Sequence, residues 1–258
     1  MSIDWQTIHA AVWRPRKAYL RGITHVDPIT LDQLVGIDDQ KQQLVRNTER
    51  FLNGCGANNA LLWGSRGTGK SSLIKGILNA YRDRGLRLIQ IDRSDLVELP
   101  EIVDEIRTLP QRFIVFCDDM TFEQGDASYR ALKSVLDGSV EAPPANVLIY
   151  ATSNRRHLLP ETMAENQEAV LVGRDLHLGD TIEEKLALSD RFGLWLSFYP
   201  VNWDAYLVLI DHYFADYPGD REALHLAAKQ FAMARGGTKS GRAALQFYKT
   251  YAGQDRES

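Results

Sequence analysis

Lys70, Ser71 and Ser72, preceded by glycines at 64, 67 and 69, are residue types that together bind phosphate. Phosphate oxygens are held by rows of backbone N–H groups, so side chains must stay clear and glycine must supply left-handed backbone. Residues 64–71 read Gly-Ser-Arg-Gly-Thr-Gly-Lys-Ser, a Gly-x-x-x-x-Gly-Lys-Ser phosphate-binding loop. Gly64, Ser65, Arg66, Gly67, Thr68 and Gly69, with Lys70, Ser71 and Ser72, form the expected cradle. The start of a helix here adds unpaired N–H groups and partial positive charge. Lys70 would bridge the terminal phosphates. The Ser71 hydroxyl would ligate Mg²⁺, which keeps most other ligands as water and phosphate oxygens.

A second group follows an apolar run at 113–117, Phe-Ile-Val-Phe-Cys, ending in Asp118 and Asp119. Ligands of parallel sheets sit at the carboxyl ends of strands. Asp118 is therefore expected to face the loop and hold Mg²⁺, directly or through water. Asp119 is the expected activator of the attacking water, with Glu123 as its alternative because of its longer reach. Asn154 ends another apolar strand, where it orients the water, touches the terminal phosphate, or simply forms a turn. Arg191 pairs with nearby acids or reaches a nucleotide on a neighbouring subunit, as arginines supplied in trans do in phosphoryl transfer. Arg242 falls in the first turn of the last helix. That position is unfavourable for a cation, which implies a task on the phosphates.

These residues need positioning elements. Apolar strands are expected at 60–63, 86–91, 113–117, 147–151 and 194–199, alternating with helices. Aspartates 38 or 39 would cap the first helix, and Asp126 a later one ending near Asp137. Another helix is expected from Thr181. The alternation implies an α/β fold with a parallel five-stranded sheet covered on both faces. After Pro200 only helical spacing remains, as at Trp203, Tyr206, Leu207 and Ile210. We expect an N-terminal arm at 1–30, a nucleotide-binding domain at 31–200 and a small helical lid at 201–258. In the arm, Trp5, Ile8, Val12 and Trp13 fit one stripe of a short helix docked on the body. Arg14, Arg16, Lys17 and Arg21 make its remainder basic, as solvated charge or as a contact to nucleic acid or a partner.

The 258 residues are 44% hydrophobic and 25% charged, an ordinary globular balance. The net charge of −4 does not imply affinity for DNA or RNA, though a local patch stays open. Two cysteines exclude a disulfide framework and fit a reducing compartment. The opening residues lack a signal-peptide pattern and no run reaches membrane-spanning length, so a soluble cytoplasmic chain is expected. The six histidines show no zinc-ligand spacing.

Together the motifs at 64–71 and 113–119, Asn154, the Asp-Arg-Phe-Gly box at 190–193 and Arg242 resemble the AAA+ ATPase superfamily. They correspond there to Walker A, Walker B, sensor 1, the arginine-finger box and sensor 2. Residues 31–38 resemble the segment that lies against adenine in that superfamily. The Asp-Asp pair is similar to that of replication initiators and helicase loaders. The wording of the motifs looks like that of an uncharacterised bacterial group of AAA+ ATPases. The resemblance implies a strand order of 5-1-4-3-2, ATP or ADP with Mg²⁺ between core and lid, homo-oligomeric assembly, and Arg191 acting in trans. Most members carry Asp-Glu where this chain has Asp118-Asp119, and no aromatic-hydrophobic-glycine pore loop is evident. Three readings follow: an ATPase coupling nucleotide state to assembly or partner remodelling, a nucleotide-gated binding or loader module with little hydrolysis, and a small-molecule phosphotransferase. The protein partner is not legible; residues 1–30 and 160–180 are the expected places for it.

Overall fold

The computed structural model describes residues 3–120, 127–137, 142–154 and 191–251. Short runs rich in aliphatic and aromatic residues form the strands β1 (Ala10–Arg14), β2 (Tyr19–Ile23), β3 (Ala60–Gly64), β4 (Leu86–Ile91), β5 (Arg112–Cys117), β6 (Val147–Ser153) and β7 (Leu194–Phe198). The helices are α1 (Asp38–Leu52), α2 (Lys70–Tyr81), α3 (Leu99–Ile106) and α4 (Ala127–Asp137). Three more follow the sheet: α5 (Trp203–Tyr213), α6 (Arg221–Met233) and α7 (Gly241–Tyr251).

The strands form one sheet in the order β2-β1-β4-β5-β6-β3-β7. Every neighbouring pair is parallel except β1 with β2. The five expected strands stand as β7-β3-β6-β5-β4, but the expected count of five is corrected to seven, because β1 and β2 extend the sheet beyond β4. Both come from the N-terminal arm, so the expected helix there is corrected to a hairpin. The physical reason lies in burial. Residues 10–13 are all buried, whereas a surface helix buries one stripe. As a strand, the segment sends Ala11 and Trp13 into one core and Ala10 into the other. Trp5 seals this junction: its ring stands edge-on to Phe113 at 5.0 Å, and its carbonyl accepts from Arg87 Nε at 2.7 Å.

Each face of the sheet carries its own core. Leu44, Leu73, Ile74 and Ile77 of α1 and α2 cover Leu62, Phe116 and Tyr150. Leu99, Ile102, Ile106 and Leu132 of α3 and α4 cover Ile89, Phe113 and Val115. Helices α5 to α7 enclose a third core around Tyr206, Ile210, Leu224, Ala228 and Phe247. Their starts are capped by side chains: Asn202 Oδ1 accepts from Ala205 N, Asp220 Oδ1 from Glu222 N and Ser240 Oγ from Ala243 N. The expected aspartate cap of α1 is corrected. Ile37 holds the cap position without a side-chain hydrogen bond, and Asp38 and Asp39 lie in the first turn, where their charge suits the helix dipole. The expected cap Asp126, the loop at 160–180 and the helix from Thr181 lie outside the described residues. No helix among the described residues is long and apolar enough to cross a membrane.

Candidate functional site

Strand β3 runs straight into the glycine-rich loop. Gly64 has φ 125°, and a Cβ there would lie 2.0 Å from the Phe198 carbonyl oxygen. That oxygen accepts from Ser65 N at 2.9 Å, so β7 holds the loop at its root. Gly69, at φ 97°, caps the start of α2. The first-turn N–H groups of such a helix lack partners within it, and such groups suit an anion. Thr68 Oγ1 donates to Ser65 O at 2.7 Å and closes the loop on itself.

Lys70 is buried. Its Nζ donates to Gly64 O and Ser65 O, both at 2.7 Å, and to Asn154 Oδ1 at 3.4 Å. Burial pushes its ammonium pKa down to about 8, against the opposing pull of Asp119 and Asp118. Ser71 Oγ donates to Asp118 Oδ1 at 2.7 Å. Thr152 Oγ1 donates to the same carboxylate oxygen at 2.6 Å and accepts from Asp119 N at 2.8 Å. Thr152 O accepts from Met120 N at 2.7 Å. Asp119 sits at φ 53°, unusual for a residue with a side chain, and its carboxylate accepts from Asn154 Nδ2. Asn154 thus links Lys70 to Asp119.

These groups line a cavity of about 810 Å³ at the carboxyl edge of the sheet. Residues 66–72, Asp118, Asp119, Thr152, Asn154 and Arg242 all face it. Gly64 and Ser65 lie behind the wall and contribute the carbonyls that hold Lys70. The far end is apolar, with Val35, Ile37, Leu209, Tyr213 and Leu245. The 31–37 segment is pinned there by Lys41 Nζ, which donates to Leu31 O at 3.4 Å and Leu34 O at 3.2 Å. Gln40 Nε2 ties α1 to β7 through Ser197 O at 2.8 Å. The last helix touches the loop directly: Gly241 N donates to Gly67 O at 3.1 Å.

One expected residue stands apart. Arg191 is not among the cavity-lining residues; its Nε pairs with the Asp137 carboxylate at the end of α4. Glu123 lies outside the described residues. Sequence reasoning missed Thr152, Gln40 and Lys41. The signal for Thr152 was a hydroxyl inside a wholly buried strand, where a polar group must find a partner.

The fold is shared with solved structures of a branch migration motor. The Holliday junction branch migration motor RuvB of Thermotoga maritima matches with a TM-score of 0.55 at 16% identity, over 87% of this chain and 64% of that one. A point mutant of the same motor matches with a TM-score of 0.57 at 17% identity, over 86% and 64%. The chain therefore spans less than two-thirds of the length of these structures, and at such identity the likeness shows the fold alone. No curated protein matches the chain. Residues 6–255 match the family described as "Protein of unknown function (DUF815)", and the chain belongs to that family.

Proposed function

We propose that the protein is a Mg²⁺-dependent ATPase that couples the state of bound ATP or ADP to self-assembly or to remodelling of a protein partner. The supporting observation is the Ser71–Asp118 hydrogen bond of 2.7 Å beside buried Lys70, in a cavity roofed by the helical unit. The residues fit a nucleoside triphosphate with its metal. Gly67 and Gly69, at φ 76° and 97°, supply the left-handed backbone by which such a loop turns its N–H groups toward an anion. Ser71 Oγ and Asp118 are the hard oxygen ligands Mg²⁺ takes, and the apolar end offers Val35, Ile37 and Tyr213 to a base. Bound Mg²⁺ would neutralise charge on the terminal phosphates.

In this reading Lys70 turns its ammonium from loop carbonyls to phosphate oxygens. Thr152 fixes the rotamer of Asp118. Asp119 accepts a proton from water, and Asn154 orients that water while bridging Lys70 and Asp119. Arg242 contacts the phosphates from the lid, and Arg191 acts on a neighbouring subunit's nucleotide. The arm at 1–30, the nucleotide-binding domain at 31–200 and the lid at 201–258 work as one unit in a cytoplasmic homo-oligomer. Single-turnover hydrolysis that rises with protein concentration, and that Lys70→Ala abolishes, is the expected result. If Arg191→Ala leaves both the rate and self-association unchanged, the arginine does not act in trans.

A second reading has its own support. Asp119 is shorter than the usual glutamate and its carboxylate is engaged by Asn154, which favours a nucleotide-gated binding or loader module with little turnover. Wild-type turnover indistinguishable from that of Lys70→Ala, with nucleotide affinity intact, selects it.

A further inference from the structure

The β1–β2 hairpin carries Arg14, Arg16, Lys17 and Arg21, all exposed. Not one acidic residue occurs between residues 5 and 26. The acids that flank this stretch are engaged elsewhere: Asp4 accepts from Thr7 Oγ1 at 3.0 Å, and Asp27 pairs with Lys75 at 3.1 Å. Among the described residues, no ion pair or side-chain hydrogen bond engages the four cations. In a chain of net charge −4, this is a concentrated run of cations with no acid in its own stretch; the register places Asp92, one strand over, level with Arg14.

Register decides how the patch is arranged. Arg14 stands opposite Tyr19, and Val12 opposite Arg21. Directly opposed residues share a face of the sheet, as do residues two apart on a strand. Arg14, Tyr19 and Arg21 therefore lie side by side on the face that begins in the core with Ala10 and Ile23. Tyr19, 38% exposed, has Arg14 across the pair and Arg21 two residues along its own strand. Arg16 and Lys17 occupy the turn beyond. Because β1 runs parallel to β4, and β4 to β5, this turn projects from the same edge of the sheet as Asp118. It lies two strands away, about 10 Å at ordinary strand spacing.

We infer that this hairpin binds a single-stranded nucleic acid. Guanidinium groups pair with phosphates in a fixed fork geometry. An exposed aromatic ring beside them offers a stacking surface to one unpaired base. A duplex keeps its bases stacked inside and has no use for Tyr19. An anionic bilayer presents a broad surface to a net-negative molecule, and Tyr19 is the one large apolar side chain exposed on the hairpin. A single strand is narrow enough to meet the hairpin alone.

The test is fluorescence anisotropy of the full chain with labelled oligothymidylate at low salt. Oligouridylate, a DNA duplex and phosphatidylserine vesicles are the comparison arms. Binding of the single strands is expected, with log affinity falling against log salt at a slope of about −3, for four phosphates at roughly 0.7 each. Arg16→Glu with Lys17→Glu should weaken binding at least about tenfold and flatten that slope. Tyr19→Ala should weaken it about tenfold at unchanged slope, as lost stacking does. Arg21→Gln, placed on the strand instead of the turn, gives an independent variant and should lower the slope by about one contact. Nucleotide affinity should stay unchanged in all three. Absence of single-strand binding at low salt, tighter binding to the duplex or to vesicles, or indifference to these substitutions overturns the assignment.

Discussion

Tyr150 and Thr152 stand two residues apart on β6, on the same face, and each buries a hydroxyl. The Tyr150 hydroxyl is closed in by Thr48 Oγ1 at 2.8 Å and Asn47 Nδ2 at 3.1 Å. Burial pushes its pKa up to about 12. Its partners have further bonds of their own, Thr48 to Leu44 O and Asn47 to Asn58 O, both at 2.8 Å. This cluster satisfies itself and knits α1 to the sheet. Thr152 instead holds an ionisable carboxylate and the amide of the next aspartate, at the wall of a large cavity. Buried polarity thus has two uses on one strand. One closes upon itself and holds the fold, while the other keeps charged groups aimed at a space where a ligand fits.

Substitutions at the two ends should therefore read out differently. The largest effect belongs to Lys70→Ala, which in the proposed function removes a charged donor to phosphate. Titration with a fluorescent ATP analogue should show affinity reduced about 100-fold, since charge-assisted hydrogen bonds contribute about 1.5–3 kcal/mol each. Gly67→Ala comes next. Its Cβ would lie 2.9 Å from Ser240 Cβ, at φ 76°. Strain of about 2 kcal/mol should lower the melting temperature by several degrees, and loss of the lid contact should weaken nucleotide binding about 30-fold. Thr152→Val keeps the shape and deletes the hydroxyl. Turnover should fall about tenfold for the loss of roughly 1.4 kcal/mol of positioning, with nucleotide affinity nearly intact. The smallest effect is that of Tyr150→Phe, a stability loss of about 1 kcal/mol in urea unfolding and unaltered ATP affinity. If Tyr150→Phe changes nucleotide affinity while Thr152→Val changes only stability, the distinction between the two ends is lost.

The cavity edge of the sheet was legible in the sequence because its residues are local. Residues 64–72 are contiguous, and Asp118, Asp119 and Asn154 each end an apolar run, so strand geometry alone sends them to one edge. Arg242 was legible through its misfit with the helix dipole. What stayed hidden depends on tertiary pairing. Trp5, Ile8, Val12 and Trp13 read as a helix stripe, and only pairing with the open edge of β4 makes Ala10–Arg14 a strand. Thr152 and Gln40 find their partners across 34 and 157 residues of sequence separation, which no local pattern records. The Arg191–Asp137 pair spans 54, for the same reason.

The amide of Gly241 meeting the carbonyl of Gly67 has a mechanical corollary. Helix α7 meets the glycine-rich turn directly, so the two form a short lever with its fulcrum at residue 67. A tilt of a few degrees there displaces Tyr251, ten residues along a rigid rod, by about an ångström or more, at 1.5 Å of helix rise per residue. Any chain docked near that far end would feel each shift of residue 67 at first hand.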